Sequence, residues 1–406
     1  MSLQPYRALF ANRAVSLLVI AQWFARLGDQ FVAIALLWAA LELTRSAAAT
    51  GLVLMAYTGG VIAAGFFAAS LLDRYPRKPL MLADNAVRAL CIGAAASLGL
   101  AHLLNVWVLA ALACIAAMSS TITIVGMRVY LPTMVPEELI VTAFAVDSSL
   151  YQLAGIAGPA LAGIVTARFG WAVAMSVGAA CFLAFVLIGA FIPAGAIDRG
   201  IPPESRELSL SEELAGARYI AGNPLLRGLT VLVAMGNFFF GIAIVGLAFL
   251  SKDAFGGDAR GQGFMLAVLA LGTLTASIPL GTGRWPYPRG ISLITVSIIL
   301  GVLVAALGYA PNLTLACLVL FVIGVVDAGF FIWMSELRQR TPPPELLART
   351  ISASMILNTV ATPFSSAIAG LAVGALHIRP TFVLAGLALA LYSSLFVRNK
   401  PLREAS

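Results

Sequence analysis

The sequence predicts an all-α membrane protein of twelve transmembrane helices in two pseudo-symmetric six-helix bundles. Three observations carry this: too little charge for a water-facing surface, a series of apolar stretches long enough to cross a bilayer, and loop motifs repeated half a chain apart. Of 406 residues, 61% are hydrophobic and 11% charged. A soluble domain carries roughly 25% charged residues, so this chain cannot coat a globule with charge. About 20 apolar residues span a bilayer, and a segment in lipid must satisfy its backbone amides internally, as a helix does. Ala, Leu and Gly dominate these stretches, without the alternation of a membrane barrel.

Spans are expected near residues 14–42, 50–72, 79–101, 106–127, 141–167, 171–192, 227–251, 262–282, 289–309, 313–335, 347–375 and 380–397. An even number puts both termini on one side. Most of the 25 Lys and Arg fall on that side, among them Arg7, Arg13, Arg284, Arg338, Arg398 and Lys400, whereas Arg45, Arg168, Lys252, Arg260 and Arg379 fall on the other. The positive-inside rule therefore predicts cytoplasmic termini. The abundant Ala and short loops suggest a bacterial inner membrane. The net charge of +7 reads as topology, and no nucleic-acid binding is expected.

Cys91, Cys114, Cys181 and Cys317 lie inside spans without a CxxC and read as small packing residues. His102 and His377 sit at outer span ends, so no metal site is expected. No GxxxxGK[ST] signature appears, no cofactor is implied, and no nucleophile–base pair lies at mid-depth, so an enzyme is not expected. The first apolar run is too long for a signal peptide's core and reads as an uncleaved helix.

The longest polar stretch, residues 193–226, divides six spans from six. The expected domains are residues 1–192, this linker, and residues 227–406. Within the linker, Ser209-Leu-Ser-Glu212 resembles a capping box, and a short amphipathic helix follows, stopped by Asn223-Pro224. That helix either bridges the two bundles or is a solvated spacer. The halves echo each other: Leu131-Pro-Thr-Met-Val-Pro-Glu-Glu-Leu139 matches Gln339-Arg-Thr-Pro-Pro-Pro-Glu-Leu-Leu347, and Asp73-Arg-Tyr-Pro-Arg-Lys78 matches Gly283-Arg-Trp-Pro-Tyr-Pro-Arg289 more weakly. Parallel six-span repeats are typical of secondary transporters.

Ala69-Ser-Leu-Leu-Asp73-Arg-Tyr-Pro-Arg77-Lys78 resembles the major facilitator loop pattern G-x-x-x-D-R-x-G-R-K, with Ala69 and Pro76 where glycine is usual. Leu27-Gly28-Asp29, Leu82-Ala-Asp84-Asn-Ala-Val-Arg88 and Ala157-Gly158-Pro159-Ala-Leu-Ala-Gly163 resemble the exporter group that contains the enterobactin exporter and macrolide efflux proteins. The resemblance covers most of the first half and the second half loosely. It implies the major facilitator fold, alternating access, and a central cavity lined by the first, fourth, seventh and tenth spans.

It also implies a gating role for the loop after the second span. Asp73, Arg74, Arg77 and Lys78 are the candidates, with Arg128 at the end of the fourth span as a partner. Carboxylates and cations at helix ends can hold one bundle arrangement closed. Asp84 and Arg88, at i and i+4 in the third span, are expected to form an intrahelical or interhelical pair that joins that network. Gly155, Gly158, Pro159 and Gly163 in the fifth span resemble an antiporter motif. Small residues allow close helix approach and a proline favours a kink.

Charges inside spans normally face a cavity or a partner. Asp29 and Arg26 lie one turn apart and are expected to pair. Asp147 in the fifth span is less clear-cut and is a candidate member of the same network as Asp84 and Arg88. Asp29 or Asp327 is the candidate proton carrier, because burial and a nearby arginine shift a carboxylate in opposite directions. The candidate substrate cavity is Trp23, Arg26, Thr121, Thr123, Asn237, Phe238, Phe331 and Met334. The function expected is proton-driven export of a small organic molecule, a siderophore or drug-like amphiphile, by a monomer in contact with membrane lipid. A lysophospholipid transporter of the same fold and a non-transporting membrane sensor are the alternatives.

Overall fold

The computed structural model describes residues 4–193, 210–282 and 286–405. A short helix, α1 (Gln4–Ala11), precedes α2 (Arg13–Thr44), α3 (Ala47–Arg74) and α4 (Arg77–Leu100), the first three spans. The fourth span is broken into α5 (Val106–Ser119) and α6 (Thr121–Tyr130); α7 (Ile140–Phe169) and α8 (Trp171–Ala190) complete the first six. The linker helix α9 (Leu210–Gly222) leads to α10 (Pro224–Phe249), α11 (Ala259–Thr282), α12 (Arg289–Leu307) and α13 (Leu313–Arg340). The eleventh span is broken into α14 (Pro344–Thr359) and α15 (Thr362–Leu376), and α16 (Ile378–Leu395) and a terminal turn, α17 (Lys400–Arg403), follow. Among the described residues, eleven helical segments are long and apolar enough to cross a membrane. The apolar helix α11 lies between the seventh and eighth of these, in keeping with the twelve spans expected. The chain is a multi-pass membrane protein.

Asparagine starts several of these helices. Asn12, Asn105, Asn223 and Asn312 precede α2, α5, α10 and α13, and each side-chain oxygen accepts backbone N–H groups of the first turn. Such a cap answers amides that the helix itself leaves unbonded. At the other end of α7, Gly170 takes φ +87°, a backbone conformation that only glycine adopts freely, and the chain reverses directly into α8.

The chain divides into two compact units: Met1–Arg45 with Ala56–Arg206, and Ser46–Met55 with Glu207–Ser406. In the first unit α2 packs on α7 and α8, and α4 on α8 and α5. In the second, α10 packs on α15 and α16, and α12 on α16 and α13. The third span thus meets the sixth as the ninth meets the twelfth, and this shared pairing is the structural form of the sequence repeat. Close crossings rest on small residues. A Cβ added at Gly28 would meet Phe182 at 2.8 Å and the Gly178 carbonyl at 3.1 Å, and one at Gly301 would lie 2.7 Å from the Gly386 carbonyl.

The linker helix belongs to the second unit. It packs on α14, and a Cβ added at Gly216 would stand 2.3 Å from the Arg349 carbonyl. The helix is therefore packed on its own unit rather than standing as a fully solvated spacer. The C-terminus is tied to the same unit: Gly290 N–H donates to the Ala405 carbonyl at 2.9 Å, and Leu402 is fully buried.

Candidate functional site

The middle of α2 carries Arg26 and Asp29, which the spacing pairs with each other. The structure pairs each with a different helix. Arg26 reaches α7, where Nη2 donates to Asp147 Oδ1 at 2.7 Å and Nη1 to the Asp147 carbonyl at 2.6 Å; its guanidinium lies 5.4 Å from the Tyr151 ring centroid. Asp29 Oδ1 accepts from Arg88 Nη2 on α4. Arg88 is almost fully buried, at 4% exposure, and stacks 3.8 Å over the Phe182 ring of α8. Phe182 is the residue that Gly28 admits, so one glycine positions both the α2–α8 contact and the ring that supports Arg88. The expected Arg26–Asp29 pair is therefore replaced by two interhelical bridges, which tie the first span to the third and the fifth. Where partners from neighbouring helices stand opposite, they satisfy a charge in a dry interior without forcing an i, i+3 geometry.

Of the two pairings expected for Asp84 and Arg88, the interhelical form is seen for Arg88 and the intrahelical one is absent among the described residues. Arg88 is engaged by Asp29, and Asp84 serves the break in the fourth span. Its Oδ2 accepts the Thr123 backbone N–H at 3.0 Å and the Thr123 hydroxyl. The break leaves the first amides of α6 without helical acceptors, and a carboxylate at a helix N-terminus is favoured by hydrogen bonding and by the helix dipole. Asn85 Nδ2 adds a bond to Thr123 Oγ1 at 2.9 Å. Thr123 is thus a buried interhelix residue and does not line an open cavity.

The remaining expected residues of the first unit are dispersed. The Thr121 hydroxyl donates to the Val61 carbonyl at 3.3 Å, and Trp23 is half-buried. Lys78 Nζ donates to the Ala190 carbonyl at 3.0 Å and to the Ile192 carbonyl. It therefore caps the C-terminal end of α8, where a cation is favoured. Arg77 is partly buried at the start of α4. The side chains of Asp73, Arg74 and Arg128 lie outside the described residues. Gly158 and Pro159 are buried, as is Gly163, and Gly155 is partly buried; α7 continues as one helix through Pro159. A Cβ at Gly158 would lie 2.6 Å from Gln30 Cγ, so this motif seats the fifth span on the first.

In the second unit, Asp327 on α13 is half-buried and has no hydrogen-bond or ion-pair partner among the described residues. Phe331, one turn on, is 64% exposed. Met334 instead belongs to the packed core with Leu293, Trp333 and Leu337, and this burial removes it from a cavity wall. Asn237 is exposed on α10, and its Nδ2 donates to the Asn358 carbonyl at 3.1 Å beside the break between α14 and α15. Phe238 packs edge-on to Phe239 at 5.3 Å. At the end of α13, Glu336 accepts from Arg289 at 2.7 Å and from Arg340 at 3.0 Å. No group of three or more His, Cys, Asp or Glu placed to hold a metal occurs among the described residues.

The sequence offers Asp147 only as a member of the Asp84–Arg88 network, and the structure makes it the partner of Arg26. The signal was present: a carboxylate inside a span without a cation on its own helix must find one elsewhere. It also missed the bond from Trp171 Nε1 to Glu42 Oε2 at 2.8 Å, which joins α8 to the end of α2.

The sequence profile of the Major Facilitator Superfamily matches residues 18–361. This chain belongs to that superfamily. Its relatives include the multidrug efflux pump Tap of Mycolicibacterium fortuitum, 25% identical over 399 residues that cover 96% of each chain. The enterobactin exporter EntS of Escherichia coli O1:K1 / APEC is 26% identical over 290 residues, which cover 68% of this chain and 64% of EntS. The crystal structure of nucleoside transporter NupG superposes with a TM-score of 0.72 at 15% identity, over 96% of this chain and 98% of NupG. That last likeness is one of fold. Membership of the superfamily makes the chain a transporter rather than an enzyme.

Proposed function

We propose that this transporter exports a small organic molecule, a siderophore or drug-like amphiphile, by proton antiport with alternating access, and that Asp327 carries the proton. The observation behind the coupling is the contrast between two carboxylates. Asp29 is held by Arg88, whereas Asp327 has no partner among the described residues. A carboxylate without a fixed cation can gain and lose a proton without breaking an ion pair; Asp29 would first have to give up Arg88. Outward transport is supported by the similarity to a multidrug efflux pump and an enterobactin exporter. The distribution of Lys and Arg supports cytoplasmic termini in a bacterial inner membrane, and a single chain in contact with lipid carries out the cycle.

Transport into everted vesicles under an imposed pH gradient tests this reading, with catecholate and hydroxycarboxylate siderophores, macrolides and a lysophospholipid as candidate cargo. Gradient-driven uptake of a siderophore or macrolide is expected. Uptake that ignores the gradient, or uptake of the lysophospholipid alone, would contradict it.

A further inference from the structure

The third and fourth spans enclose a polar cluster that capping of α6 does not exhaust. Asp84 is 2% exposed and Asn85 is completely buried. Asp84 gives Oδ2 to Thr123, but its Oδ1 has no hydrogen-bond partner, and neither has Asn85 Oδ1. The Asn85 amide nitrogen is already shared between the Met81 carbonyl at 3.0 Å and Thr123 Oγ1 at 2.9 Å. The Ser119 hydroxyl, beside the carboxylate, is directed to the Ala116 carbonyl at 2.9 Å, and that of Ser120 to the Ala117 carbonyl at 2.8 Å. With the Ser119 hydroxyl turned to the Ala116 carbonyl, both oxygens lack a hydrogen-bond partner among the described residues. A buried acceptor left unbonded is destabilising, and a charged one more so.

Among the described residues, no cation pairs with Asp84. Arg88, one turn further along α4, is engaged by Asp29. The helices α5 and α8, both packed on α4, carry no charged residue. The single charged residue of α6 is Arg128, more than a turn beyond Thr123. What remains is an all-oxygen donor set with one negative charge at a helix break: the Asp84 carboxylate, the Asn85 amide oxygen, and the hydroxyls of Thr123 and Ser119. Hard cations take oxygen ligands, a buried charge requires a matching one, and interrupted helices supply ion sites in transporters. One carboxylate matches a monovalent ion.

We propose that Asp84, Asn85 and Thr123, with Ser119 at the break between α5 and α6, bind one sodium ion. The ion would neutralise Asp84 and fasten α6 to α4. It is separate from the proton step assigned to Asp327 in the other unit, so either assignment can fail without the other.

The test uses the full-length protein purified in choline chloride, with sodium chloride replacing choline at constant ionic strength. Thermal unfolding and binding of radioactive sodium are followed together. The expected result is a saturable rise in the unfolding midpoint with sodium but not potassium, with one sodium bound per chain. Asn85→Ala, folded in choline, should lose that rise. Asn85→Asp, which adds a second carboxylate, should shift the response towards calcium. Equal midpoints in choline and sodium with no bound sodium would overturn the proposal and leave a buried water as the partner of the two oxygens. A sodium response unchanged in Asn85→Ala would also overturn it, by placing the ion elsewhere.

Discussion

Asp29 on the first span is held by Arg88 on the third, while Arg26, three residues from Asp29 on its own helix, is held by Asp147 on the fifth. The first span is thereby stapled to two neighbours through adjacent turns, and each staple can be tested separately.

Removing one partner of a buried ion pair strands the other, at roughly 3–5 kcal/mol. Arg88→Ala should fall near the lower end of that range, because Asp29 is 36% exposed and so less fully desolvated than Arg88. The double variant Arg88→Ala/Asp29→Ala should recover part of the loss. Apparent unfolding midpoints of the two single variants and the double variant in detergent measure the coupling. Additive losses would show that the pair contributes nothing as a pair.

Asp84 acts on α6 as a capping residue supplied by another helix. Asp84→Leu should cost about 1–2 kcal/mol, the usual worth of a cap. It should also accelerate hydrogen exchange at the Thr123 amide more than at amides in α8. Asp84→Asn, which keeps an oxygen for that amide, should protect it better than leucine does. Equal exchange in both variants would show that the carboxylate does not hold the helix break.

Gly158 faces Gln30 with no room for a methyl group. Gly158→Ala should destabilise the first unit by about 1–3 kcal/mol, as overpacking does. The compensating change Gln30→Gly should restore part of the loss, because the atoms in the way are Gln30 Cβ and Cγ. Thermal unfolding of both variants and their combination decides whether these two helices meet at that point.

Gly216 lies against the backbone of α14, which cannot move aside as a flexible side chain can. Gly216→Val should therefore lift the linker helix from its seat. Limited proteolysis should then cut within residues 193–222 faster than in the unsubstituted protein, with the spans still protected. Unchanged cleavage would mean that the helix is held by other contacts.

The spans were legible because each is a long apolar run, and the repeat was legible because its loop motifs survive in both halves. The breaks in the fourth and eleventh spans were not. Both fall inside continuous apolar runs, marked only by Ser119-Ser120-Thr121 and by Thr362-Pro363. The charge pairs failed for a different reason. Arg26 and Arg88 each had a carboxylate one turn away on their own helix, and local spacing selected it. Packing placed Asp147 and Asp29 opposite them on neighbouring helices, and tertiary proximity prevailed over local spacing. Lys78 was read as part of a charged loop, but the free carbonyls at the end of α8 claim it; nothing in the sequence places those carbonyls beside it. Met334 and Thr123 share helices with candidate cavity residues, and only the packing shows that their own side chains are buried in the core.

The proton role of Asp327 is tested most directly by proton release inside proteoliposomes loaded with a pH-sensitive dye, with a transported substrate added on one side. The unsubstituted protein and Asp29→Asn should both exchange substrate for protons, the latter at a reduced rate. Asp327→Asn should exchange substrate across the membrane without moving protons. Proton movement that persists in Asp327→Asn and disappears in Asp29→Asn would contradict the assignment and return the coupling to the first span.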